Sequence, residues 1–334
     1  MKTNQSIRVI DITLILLVGS VLLVAALGSE KMVPEPDPDV LHLVRPPIEF
    51  RDLIYGVASP DDGVIWMVGS YGKIIRSDDG GTSWQEQTSH TAVNLQDIAA
   101  WDSRRAVVVG NDGVVLVTDD GGANWVEVEA PRSEIVNKLL RVQVLDGGVA
   151  WAAGAGGMIL FSQDWGLSWE RRSPEEDIAW NDAQFAGADR GWVVGEFGRI
   201  MRTEDGGLTW QDLESPVERS LMAVAFRDSA TGVAVGLDGL IVRTQDGGDS
   251  WSTADSGSPL HLYDVLWDGE QWLAVGDGGL LLSGGAEGLA WASHPLGAHE
   301  LAWHSGAALE GDRLVLVGAS QGYWKDGKWT RFGS

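Results

Sequence analysis

Short apolar runs recur along most of the chain, each cut off by Gly, Asp or Asn, and this rhythm predicts strands and tight turns. Two markers give its period independently. A Trp closes each unit at Trp84, Trp125, Trp169, Trp210, Trp251, Trp291 and Trp329, at spacings of 41, 44, 41, 41, 40 and 38 residues. A Gly follows an apolar run at Gly69, Gly110, Gly154, Gly195, Gly236, Gly276 and Gly318, at spacings of 41, 44, 41, 41, 40 and 42. Each unit reads as four strands. In the second they are expected over Leu95–Trp101, Ala106–Val109, Val114–Thr118 and Trp125–Val128. Four strands in about 40–45 residues is the period of a propeller blade. The predicted fold is therefore all-β, a seven-bladed β-propeller of four-stranded Asp-box repeats over residues 50–334. The outer strand of the last blade is expected from Trp329–Phe332 or from Val40–Phe50.

The N-terminus breaks this rhythm. Ile12 to Gly28 is seventeen residues without a charge, preceded by Lys2 and Arg8. It predicts one hydrophobic helix within residues 1–31, acting as a signal anchor or as a signal peptide cut near Gly28. Positive charge before the segment predicts a cytoplasmic N-terminus and an exported propeller. The expected location is the inner membrane, single-pass, with the propeller in the periplasm or an equivalent lumen. Residues 32–49, with Pro34, Pro36, Pro38, Pro46 and Pro47, read as a stiff linker.

Composition narrows the partners. Asp and Glu number 48 against 24 Lys and Arg, a formal charge of -24, which argues against nucleic acid and anionic lipid headgroups. There is no cysteine, so disulfides and thiolate metal sites are excluded. The 44 Gly and 17 Trp fit tight turns and one aromatic placed repeatedly in one role.

The sharpest motif lies between the third and fourth strands. It reads Ser77-Asp78-Asp79-Gly80-Gly81-Thr82-Ser83-Trp84 and returns in the next four units, placing Asp79, Asp120, Asp164, Asp205 and Asp246 in one structural role. The Asp carboxylate is expected to accept backbone N–H bonds within its turn, and the Trp to pack between blades. The sixth unit has Ser283-Gly284-Gly285 in its place and has lost the Asp. The turns are shorter than a calcium loop and lack its final Glu, so no metal or other cofactor is expected.

These motifs resemble the photosystem II assembly/stability factor family, over roughly residues 50–332. The shared pattern is V-G-x-x-G-x-I-x-R-T-x-D-G-G-x-T-W, cleanest from Gly195 to Trp210. The resemblance implies a non-catalytic scaffold that binds a membrane-protein subunit during assembly. Its implied partner is a photosystem subunit or, as for relatives in non-photosynthetic bacteria, an export pump of the resistance-nodulation-division type. Candidate partner-binding residues are Tyr71 and Phe197 at turn tips, with Lys73, Arg76, Arg199, Arg202 and Arg243 on or beside third strands. The alternative is a sialidase-like glycoside hydrolase or sugar-binding propeller, for which Arg76, Arg202 and Arg243 would form an arginine cluster and one of Tyr55, Tyr71, Tyr263 and Tyr323 the nucleophile. His294, His299 and His304, at spacing five, are expected to be exposed loop residues.

Overall fold

A computed structural model describes residues 46–49, 51–187 and 189–333. The chain divides into two units, Met1–Arg45 and Pro46–Ser334. The expected N-terminal helix and most of the linker lie outside the described residues; among those described, no helix is long and apolar enough to cross a membrane.

The second unit forms seven four-stranded antiparallel sheets, each made of four strands consecutive in the chain. In the second blade they run Leu95–Ala100, Ala106–Gly110, Val115–Thr118 and Val126–Glu127, within two residues of expectation. The first strands form the inner wall: Ile54–Ala58, Leu95–Ala100, Leu139–Leu145, Trp180–Phe185, Leu221–Phe226, Leu262–Trp267 and His304–Glu310. Each touches the first strand of the next blade, and the last touches the first, so the ring closes. The outer strand of the seventh blade is Lys328–Arg331. Blade seven is thus built wholly from the C-terminal end and meets blade one by packing.

The second strands explain the sequence rhythm. Ala106–Gly110 and Gly232–Gly236 are buried at every position because sheets cover both their faces. Seven hydrophobic clusters fill the seven interfaces between blades. The one that joins the ends sets Ile54, Met67 and Ile75 of blade one against Val315, Val317 and Phe332 of blade seven.

The Asp-box turns are held by their own side chains. Asp79 Oδ1 accepts the Ser83 N–H at 2.8 Å and the Ser77 hydroxyl at 2.8 Å, and Oδ2 accepts the Ser83 hydroxyl at 2.6 Å. Asp205 and Asp246 repeat this with Thr209 and Ser250, Asp164 with Ser168, and Asp120 with Asn124. These bonds favour the ionised carboxylate. The Ser83 hydroxyl and N–H hold Asp79 down at about 2. Burial opposes Asp246, but Ser250 and Thr244 outweigh it and leave it at about 2. Box three carries Trp165 where the others have Gly, at a φ of 65°. Its ring lies against Trp101 and under the Arg105 guanidinium, 3.6 Å from the centroid.

Candidate functional site

Three surfaces of the ring could meet a ligand. Turns between second and third strands share one face with the loops between blades, here the turn face. Asp boxes share the other, the box face.

On the turn face, Tyr71 and Phe197 occupy tips in the left-handed region, with φ of 57° and 58°. The matching tips of blades two and five carry Asp112 and Asp238 at φ 57°. Asp tolerates this conformation and a bulky aromatic does not, so the two aromatics are held there against a local preference. They are 84% and 69% exposed. Each precedes a cation by two residues. Lys73 Nζ pairs with Asp52 at 2.7 Å. Arg199 pairs with Glu176 at 2.6 Å and Asp212 at 2.7 Å, its guanidinium 5.0 Å from the Trp180 ring centre. Seven of the twelve exposed large apolar residues described lie on this face: Leu53, Tyr71, Ile135, Val136, Phe197, Leu260 and Leu301.

On the flank, a cleft of about 860 Å³ separates blades three and four. Arg171, Arg172 and Arg199 line it together with Glu170, Glu176 and Asp212, over a floor of Trp180, Met201 and Trp210. Leu208, 71% exposed, stands at its edge. The Arg171 guanidinium is fixed by the carbonyls of Gly156 at 2.7 Å, Ser173 at 2.9 Å and Pro174 at 2.9 Å. The cleft therefore presents fixed guanidinium groups, two of them paired with its own acids, beside apolar surface, a combination that suits a polypeptide segment.

The ring axis holds a smaller cavity of about 410 Å³. The third residues of the first strands are Gly56, Asp97, Arg141, Asp182, Ala223, Asp264 and Gly306, and the four charged ones line this cavity. Arg141 of blade three spans the channel, donating to the carbonyls of Tyr263 at 3.2 Å and Ser305 at 3.4 Å. It lies 3.3 Å from Asp264 and 3.9 Å from Asp182. Each carboxylate also clasps the next blade, Asp97 through the Val142 N–H at 2.9 Å, Asp182 through Val224 at 2.8 Å and Asp264 through Ala307 at 2.8 Å. Burial pushes Asp97 up to about 6 and Asp182 up to about 7, and raises Asp264, with Arg141 opposing each shift. For Arg141 burial disfavours the charge, but the three carboxylates outweigh it and hold its pKa above the usual value. This group went unseen in the sequence. Aligning the third residue of every first strand would have shown charges inside a buried wall.

The structure separates the seven candidate residues. Tyr71, Lys73, Phe197 and Arg199 lie at the turn face, on blades one and four. Arg76, Arg202 and Arg243 sit toward the box face, where each fastens its blade to the next. Arg76 donates to the carbonyls of Ser103 at 2.7 Å and Gly121 at 3.1 Å, with its guanidinium 4.3 Å from the Trp66 ring centre. Arg202 reaches Gly247 O at 2.9 Å and Asp249 at 2.7 Å. Arg243 reaches Glu287 O at 3.1 Å. They do not form one patch, because repeat periodicity distributes them over blades one, four and five. For the same reason they do not converge as an arginine cluster for a sugar carboxylate. Tyr263 is hydrogen-bonded to Asp277; burial first, and then Asp277, push its pKa to about 12.

His304 departs from expectation. It is fully buried on a first strand, edge-on to Trp329 at 5.3 Å, with Nε2 at 3.2 Å from Ser320 Oγ. Burial lowers its pKa to about 4. His294 contacts Ser283 instead, at 2.7 Å. Among the described residues no group of three or more His, Asp or Glu is placed to hold a metal ion.

Fold and surfaces together define a closed seven-bladed propeller of the Asp-box class, with its axis plugged and its turns and flank displayed. The family model for photosynthesis system II assembly factor YCF48 matches residues 90–179 and 209–301, more than half of the chain. The chain belongs to that family. Among solved structures, YCF48 bound to D1 peptide is similar at a TM-score of 0.67 and 17% identity, over 80% of this chain and 89% of that one. YCF48 from Cyanidioschyzon merolae is similar at 0.66 and 17%, over 81% and 94%. The GH74 xyloglucanase from Xanthomonas campestris is similar at 0.67 and 16%, over 83% of this chain but 52% of that one. At these identities the structural likenesses show the fold alone. No curated protein matches the sequence.

Proposed function

We propose that this protein is a non-catalytic scaffold that captures an exposed segment of a membrane-protein subunit while its complex is assembled. In this proposal Ile12 to Gly28 anchors it in the inner membrane and the propeller works in the periplasm or an equivalent lumen. The cleft between blades three and four carries the reading. Its volume is about 860 Å³, its arginines are held by the protein's own carbonyls and acids, and Leu208 adds an apolar edge. Fixed donors need little ordering on binding, which favours affinity. Family membership supports the assembly role, and a YCF48 structure with a D1 peptide bound supports a polypeptide as the class of ligand. A photosystem-type subunit and an export pump are the two partners to tell apart.

The test is affinity purification of the full-length protein in mild detergent, followed by mass spectrometry. A polytopic membrane protein should accompany the wild type. Its recovery should fall at least about fivefold with Leu208→Glu, a loss on the order of 1 kcal/mol at an interface. Unchanged recovery would move the site off the cleft. A wild-type protein that brings down no membrane protein would overturn the scaffold.

A further inference from the structure

The turn face has a second property that a peptide-binding cleft on the flank does not explain. Its exposed apolar residues are not gathered in a groove. Tyr71 stands on blade one, Phe197 on blade four, Leu260 at the junction of blades five and six, and Leu301, 75% exposed, between blades six and seven. Points distributed around a ring define a plane. A flat, laterally fluid apolar surface meets all of them at once, whereas a single polypeptide segment meets one or two.

We infer that the turn face is a membrane-docking surface, seating its aromatic and leucine tips in the interfacial layer of a bilayer. Three observations support this occupant. Tyr and Phe rings favour that layer, and single apolar side chains on loop tips can enter it without a helix. Tyr71 and Phe197 are kept outward in a conformation that disfavours their residue types, with little burial in return. The described chain also enters the ring on this face. The Leu53 carbonyl, just ahead of the first strand, accepts the Ser70 N–H of the blade-one turn at 2.9 Å. Only seventeen residues, 29–45, separate Gly28 of the apolar segment from Pro46. At full extension they reach roughly 60 Å, the upper limit on the tether of an anchored chain. The net charge of -24 repels anionic headgroups, so the contact is apolar and the fitting lipid zwitterionic.

The inference rests on the anchoring reading above, and the experiment separates the two. The chain has no cysteine, so single-cysteine labelling is clean. Full-length Tyr71→Cys and Leu301→Cys on the turn face, and Leu167→Cys and Leu208→Cys on the box face, would each carry an environment-sensitive fluorophore. Each would be reconstituted in phosphatidylcholine vesicles containing a nitroxide-labelled lipid. Turn-face labels should shift to the blue and lose at least about half their emission, and box-face labels should do neither. Adding anionic lipid should weaken the turn-face response. Protein that floats with the vesicles but shows equal emission at all four positions overturns the docking face and leaves the anchor standing. Protein that does not float overturns both.

Discussion

Two sets of aspartates in this propeller do similar hydrogen-bonding work and titrate in opposite directions. At the rim, Asp79 and its equivalents accept backbone and hydroxyl donors within one turn, and their pKa values fall, to about 2 for Asp79 and Asp246. On the axis, Asp97, Asp182 and Asp264 accept a backbone N–H from the next blade, and burial drives them up, to about 6 for Asp97 and about 7 for Asp182. The donors are alike, so solvent decides the sign. Rim carboxylates keep much of their hydration and gain bonds, while axial ones lose hydration and share one guanidinium among three.

The largest effect should come from removing that guanidinium. Arg141→Leu leaves three carboxylates around the channel without their cation, and breaking a buried pair from one side costs about 3–5 kcal/mol. Urea unfolding at pH 7.5 should show this loss. At pH 5 it should shrink, because Asp97 and Asp182 can protonate. An equal loss at both pH values would mean that Arg141 acts through Tyr263 and Ser305 alone, and the electrostatic half of the comparison would fall.

The wild type should show both signs in one curve. A raised folded pKa contributes stability that is complete below the unfolded value, near 4 for Asp, and lost as pH rises through the folded one. The axial set therefore weakens the fold as pH climbs through 6 and 7. A depressed folded pKa contributes stability above about 4 that is lost on acidification, so the rim set weakens the fold as pH falls toward 2. Stability should peak near pH 4, where the two arms meet, and fall by several kcal/mol by pH 7.5. Asp182→Asn should flatten the neutral arm and leave the acid arm in place. A plateau through neutrality in the wild type would contradict the raised axial values.

The same contrast explains what could be read from the chain alone. Blades were legible because their determinants are local: Trp84 and Gly69 each sit within one repeat, and the box closes within eight residues. The axis was not. Arg141 is one Arg in a strand of seven residues, and its partners lie on blades four, six and seven. Only a closed ring brings them together. Arg76, Arg202 and Arg243 misled in the reverse way. Periodicity made them look like a set, but each is bound to the blade that follows it, which no repeat shows. Trp165 broke the Gly rule of its box for a similar reason, since the Trp101 and Arg105 that hold it belong to the previous blade.

The smallest effect tests whether a rim aspartate is as local as its geometry says. Asp205→Ala removes the acceptor of the Thr209 N–H and hydroxyl, both near solvent that can replace it, and of the buried Thr203 hydroxyl. Nature has made a comparable deletion in blade six, where Gly285 stands in the Asp position. That turn still closes, through Gly288 N–H to Gly285 O at 2.7 Å and Trp291 Nε1–H to Gly288 O at 3.0 Å. Blade four has the matching Trp, whose indole donates to Arg172 O at 2.9 Å across the interface and does not depend on the box. The expected loss is therefore the smallest of these, a slight fall in the urea midpoint at pH 7.5 with an unchanged slope. It should fade in acid below the usual carboxylate range, because the Thr209 hydroxyl and N–H hold the wild-type carboxylate's pKa down. A loss as large as that of Arg141→Leu would mean that the box supports its neighbours' packing as well as its own turn, and that rim and axis differ in burial but not in reach.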